Sequence, residues 1–127
     1  MGARHFTELA AWRFANDLSQ FVHEITGRGT VWRAFTFRDE IREAADSAAD
    51  NIAEGFGRYG HREFSRFLTI SLGSLDETES RLIGGFRKGY FTDQQVNDGR
   101  RKVIRTRTAI KGLKRYLDDT DAPPRSA

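Results

Sequence analysis

The chain has 127 residues, 31% of them charged, with a formal net charge of +3 and no cysteine. That length suits one domain with a modest core that oligomerisation would reinforce. The absence of cysteine excludes disulfides, thiolate metal sites and cysteine nucleophiles. No run of eighteen apolar residues occurs and the first residues lack a signal-peptide pattern, so a cytoplasmic protein without a membrane segment is expected. Positive charge is concentrated late: residues 93–117 hold eight Lys and Arg against two Asp and Glu, whereas residues 1–92 hold twelve against thirteen.

An arm over residues 1–7 precedes the first periodic segment. From Glu8 to Thr26 the apolar positions Ala11, Ala15, Leu18, Val22 and Ile25 step by four and three, the stripe of a helix with one buried face. Gly27 suits the left-handed position after that helix. The β-branched and aromatic residues 30–37 read as an extended connection over one end of the fold, because no second strand is available to pair with them. Thr36 is the predicted cap of helix two, with Asp39 three residues on. That helix runs to about Gly57 on Ile41, Ala45, Ala48, Ile52 and Phe56.

A turn over residues 58–60 leads into helix three, with Gly60 as its cap, ending near Arg87. Its seam is Phe64, Leu68, Ser71, Leu75, Thr78 and Leu82, with Phe67, Ile70 and Ile83 beside it. So short a connection makes helices two and three antiparallel neighbours. Residue numbers summing to about 118 should then face each other, placing Ser47 near Ser71, Ile41 near Glu77, and Arg42 within reach of Glu77. Thr92 and Gln95 form a capping-box pattern for helix four, which carries Val96, Val103, Ile110, Leu113 and Leu117 inward and stops before Asp118. Residues 118–127 read as a disordered tail. The expected fold is all-α, an antiparallel up-down-up-down four-helix bundle over residues 8–117.

Two sets of residues carry possible function. At ~100° per residue, Arg100, Arg107, Lys111, Lys114 and Arg115 share one side of helix four, and Arg101 and Arg105 extend the charge around it. Such a face suits phosphate contacts that are salt-sensitive and blind to sequence; an ordinary solvated face, favoured by cations near a helix C-terminus, is the other reading. The second set is polar and glycine-rich inside an otherwise buried helical pattern: Asn51-Ile52-Ala53-Glu54-Gly55-Phe56-Gly57-Arg58. Gly55 costs about 1 kcal/mol against alanine in a helix, so a close neighbour or a helix end should explain it. No nucleophile with a histidine base accompanies these residues, so a network fixing helix packing is favoured over catalysis. Glu-x-x-His is absent, His5, His23 and His61 are scattered, and no phosphate-loop glycine pattern occurs, so neither metal nor cofactor is expected. Trp12, Trp32, Phe35, Phe37, Tyr90 and Phe91 exceed what the ends of one small bundle hide, which makes some of them interface candidates; core or end packing is favoured for any single ring, and no basic-aromatic interleaving on one helix supports stacking on bases.

The eight-residue motif, followed by Glu63-Phe64-Ser65-Arg66-Phe67-Leu68 and Gly73-Ser74-Leu75-Asp76-Glu77, with Trp12 near the start, resembles the four-helix-bundle proteins known as 23S rRNA intervening-sequence proteins over residues 8–117. The resemblance implies a homopentameric ring around a channel. The similar accessory proteins of diversity-generating retroelements bind nucleic acid, RNA or DNA, and a reverse transcriptase. Asn51, Glu54, Gly55, Gly57, Arg58, Gly73, Ser74 and Glu77 match its motif positions. The chain departs from the pattern at Glu43 and Asp46, where relatives carry an arginine and a branched apolar residue, and at Ala49, where they carry proline. Helix two is acidic outside in consequence, with Asp39, Glu40, Glu43, Asp46 and Asp50. Against a neighbour's basic helix four, that side would orient assembly. The expectation is a non-enzymatic, ring-forming accessory protein binding nucleic acid with low sequence specificity through helix four; the alternative is a protein-interaction scaffold without a nucleic-acid role.

Overall fold

A computed structural model of the chain describes residues 2–120, and among these there is no strand. A 3-10 turn at Phe6–Glu8 precedes five helices: α1 (Ala10–Ile25), α2 (Gly29–Arg33), α3 (Phe35–Phe56), α4 (His61–Arg87) and α5 (Asp93–Asp119). The predicted helices one to four are α1, α3, α4 and α5. The predicted tail is corrected at its start, because α5 continues through Asp118, held by Ser65 and Lys114, to Asp119; from residue 121 onward it lies outside the described residues.

The long helices pack cyclically, α1 on α3, α3 on α4, α4 on α5 and α5 on α1. Each buries the stripe its sequence spacing marks: Ala11, Ala15, Leu18, Val22 and Ile25 in α1, and all six seam residues of α4. In α5, Val96, Val103, Ile110 and Leu117 are buried, and Leu113 packs against the core from its margin. Cross-helix bonds pair rising with falling numbers. Ser71 donates to the Ala48 carbonyl at 2.6 Å, the Ser47 and Ser74 hydroxyls meet at 2.8 Å, and Ser65 donates to Asp118 at 2.6 Å.

Two glycines act as the sequence implies. Gly60 takes φ 81° as the N-cap of α4, a conformation side chains resist. At Gly55 a Cβ would lie 2.7 Å from Phe67 Cβ and 2.9 Å from Phe64 Cδ1, so α3 and α4 approach there at a distance only glycine permits. The Thr92–Gln95 capping box forms at 3.1 and 2.9 Å.

Several local expectations are corrected. Gly27 is not left-handed; positive φ falls on Gly29, Gly60 and Gly89. Thr26 closes α1 by donating its hydroxyl to the Val22 carbonyl at 2.7 Å, and Gly29 makes the reversal. Residues 30–33 are helical, not extended: with no strand to pair, their β propensity has nothing to act on, and Val31 turns inward to become 1% exposed. Thr36 is no cap, because α3 begins at Phe35 with Ala34 as N-cap. The α3/α4 register is offset slightly from the predicted one: Ser71 meets Ala48, and Ser47 meets Ser74. Ile41 is buried while Glu77 is exposed. Arg42 sits on the α1 side of α3 and donates to Thr26 Oγ1 at 2.8 Å and the His23 carbonyl at 3.3 Å; Glu77 instead lies 3.9 Å from Arg81.

Candidate functional site

The motif residues divide by role. Asn51 donates to the Ser47 carbonyl at 2.8 Å and to Ser47 Oγ at 3.0 Å, and Ser47 meets Ser74, so a chain of hydrogen bonds ties α3 to α4. Ser47 is a member of this network that the motif does not contain; its place one turn before Asn51 on the same helical face is the signal for it. Glu54 and Arg58 pair at 2.6 Å within one turn, and the Arg58 guanidinium lies over the Phe67 ring at 5.1 Å. Gly57 closes α3, its N–H donating to the Ala53 and Glu54 carbonyls. Gly73 has open space where a Cβ would be, and Glu77 is exposed beside it. A shallow cleft of about 400 Å³ runs here, lined by Glu43, Ser47, Ile70, Gly73, Ser74 and Glu77. One turn on from Glu77, Arg81 lies 3.9 Å from it and 3.4 Å from Glu40.

Asp50, one turn beyond Asp46, has its carboxyl pKa raised by desolvation against the helix surface and then by the Asp46 charge. Asp46 itself accepts from Ser19 and lies 2.9 Å from His23 Nε2. The serine hydroxyl donates to the carboxylate rather than to the imidazole, so Ser19 and His23 do not form a nucleophile–base pair.

The cations of α5 form a face as expected, but most have a carboxylate opposite. Arg107 donates to Asp76 at 2.9 Å and Glu79 at 3.1 Å, and Arg100 donates to Glu79 at 3.1 Å. Partial burial opposes the Arg107 charge, yet its bonds to Glu79 and Asp76 outweigh that and raise its pKa. Arg101 pairs with Asp98, Arg105 with Asp17 at 2.9 Å, and Lys114 with Asp118 at 2.9 Å. Lys102, outside the predicted set, also reaches Asp17, at 2.7 Å. Bonds from Ser65 and then from Lys114 hold the Asp118 carboxyl below its usual pKa. Among the described residues, only Lys111 and Arg115 of the seven predicted contacts have no ion pair.

Of the six aromatics singled out, Phe91 is buried and Trp12, Phe37 and Tyr90 are partly covered, while Trp32 and Phe35 are 45% and 62% exposed. No described helix is long and apolar enough to cross a membrane.

Comparison with curated proteins gives no match. Among solved structures, the chain is similar to a protein of unknown function from the S23 ribosomal protein family of Bacteroides thetaiotaomicron. The TM-score is 0.75 at 18% identity, covering 83% of this chain and 95% of that one. At that identity the likeness speaks for the fold. A family model, 23S rRNA-intervening sequence protein, matches residues 7–112, a span that holds the whole polar and glycine motif. The chain therefore belongs to the 23S rRNA-intervening sequence protein family.

Proposed function

We propose that the protein is a non-enzymatic, self-associating accessory protein: an up-down-up-down four-helix bundle that assembles into a ring, pentameric as the resemblance implies. One observation carries this reading. Two surface ridges have the same four-three-four spacing and opposite charge, Glu43, the half-buried Ser47, Asp50 and Glu54 on α3, and the exposed Ile104, Thr108, Lys111 and Arg115 on α5. Each has an exposed isoleucine to anchor it: Ile104 is 54% exposed within the basic ridge, and Ile70 is 42% exposed in the cleft beside the acidic one. A basic ridge seated on a neighbour's acidic seam is a head-to-tail contact, which closes into a ring when the rotation permits.

Light scattering tests it. The expected mass is about five times the 14.5 kDa chain, and Ile104→Asp, an exposed position, should return the protein to single-chain mass with its helicity intact. A wild-type protein of single-chain mass at every concentration would contradict the reading.

A second reading, nucleic-acid binding through Arg100, Arg101, Arg105, Arg107, Lys111, Lys114 and Arg115, is favoured by Lys111 and Arg115, which form no ion pair among the described residues. Exposed ion pairs such as Arg101–Asp98 and Arg105–Asp17 contribute only about 0–1 kcal/mol each, so phosphates can displace them. Binding should then fall steeply with salt. A reverse transcriptase partner rests on the resemblance and has no face assigned to it.

A further inference from the structure

The end of the bundle where α1 finishes, α2 turns and α4 gives way to α5 carries a feature that the α5 reading leaves unused. The Arg38 guanidinium lies over the Trp32 ring at 4.6 Å and over the Phe35 ring at 5.0 Å. It donates to the Trp32 carbonyl at 3.0 Å and to Asp39 at 2.9 Å, and its side chain is only 16% exposed. Arg38 is therefore a brace: it fixes two exposed rings in place and has its own charge answered by Asp39. Arg42 approaches the Trp32 ring at 5.6 Å and helps hold it.

From Phe35 a cleft of about 350 Å³ continues past Phe37 to Lys88 and Tyr90. Lys88 Nζ stands 5.3 Å over the Phe37 ring, which packs on Tyr90 at 5.1 Å. Phe86 adds a third exposed ring. The charge at this end differs in kind from that on α5. Arg28, Arg33, Arg87 and Lys88 have no ion pair among the described residues, while Asp39 and Glu40 are held by Arg38 and Arg81. Glu24 and Asp93 are the exposed carboxylates left to oppose the four cations.

We propose that this end binds single-stranded nucleic acid, with bases stacking on Trp32 and Phe35 and the backbone phosphates meeting Arg28, Arg33, Arg87 and Lys88. Exposed aromatic faces braced by Arg38, with unpaired cations on the flanking segments, match the two needs of such a ligand, a sequence-tolerant stacking surface and a positive path for its backbone. A duplex keeps its bases stacked on each other and offers these rings nothing. A protein partner would call for a merged apolar centre depleted of charge, whereas here the rings are separated by guanidinium and ammonium groups.

The test uses the full chain with a fluorescent oligouridylate and oligothymidylate of about twelve nucleotides, and a duplex of equal length as control. In a Trp12→Phe background Trp32 is the sole indole, and both single strands should quench it while the duplex does not. Trp32→Ala and Phe35→Ala alter exposed positions and should each weaken single-strand binding about tenfold with the melting temperature unchanged. Preference for one single strand would assign RNA or DNA. The proposal is overturned if single strands leave Trp32 fluorescence unchanged, if duplex binds equally well, or if Trp32→Ala lowers only the assembly mass, which would make this end a subunit contact. Ile104→Asp tests the ring separately, so the two readings fail independently.

Discussion

Helix α5 and the α2–α3 end of the bundle hold positive charge in opposite ways. On α5, six of the eight cations in residues 93–117 touch carboxylates, most supplied by α1 and α4. At the bundle end, Arg28, Arg33, Arg87 and Lys88 touch none among the described residues, and Arg38, paired with Asp39, is fixed between rings. The lesson is that the number of cations on an element does not measure its capacity to bind an anion. What matters is the charge left after neighbouring helices have answered it, and whether exposed aromatic surface lies beside it.

The largest perturbation of this contrast is at Gly85. A Cβ there would come within 2.4 Å of Phe91 Cε2 and 2.9 Å of Phe37 Cζ, both in the aromatic layer beneath the proposed platform. Gly85→Ala should cost about 2 kcal/mol in a thermal melt through overpacking and weaken single-strand binding with it, leaving the α5 ion pairs in place. A smaller effect tests the α5 side. Asp76→Asn with Glu79→Gln releases Arg107 and Arg100, and anisotropy should report polyanion affinity rising about two- to fivefold at low salt. No change would mean that α5 is turned away from the ligand even when its cations are freed.

The smallest concerns the acidic ridge. Because the Asp50 carboxyl is raised by desolvation and by Asp46, the folded chain holds that proton more firmly than the unfolded chain does. The stability it contributes is present at acid pH and is lost as pH rises through its folded pKa. Asp50→Asn should accordingly raise the melting temperature by about 1 °C at neutral pH, with the gain fading below the ordinary aspartate value of 3.8.

Much of the fold is legible in the sequence because it depends on local spacing. The stripes of α1, α3, α4 and α5, the Gly60 cap and the Thr92–Gln95 box follow from residues a few positions apart. Gly55 is legible too, as a glycine that only a close neighbour justifies. What sequence reading misses is set by tertiary context. Residues 30–33 carry β propensity with nothing to pair against, so burial of Val31 decides their form. Thr36 has the chemistry of a cap but sits inside the helix once Ala34 ends the preceding turn. The pairing of α5 is the clearest case: Asp17 answers Lys102 from 85 residues away, a distance no periodicity argument spans. Conversely, Arg38 reads as one more surface arginine until α2 folds Trp32 back onto it.

The most direct test titrates one labelled single strand, at low and moderate salt, against two double variants side by side: Trp32→Ala with Phe35→Ala, and Arg101→Ala with Arg105→Ala. The structure predicts that the first loses most of its affinity at both salts while the second stays close to wild type. Loss confined to the second variant would return the binding site to α5 and contradict the account.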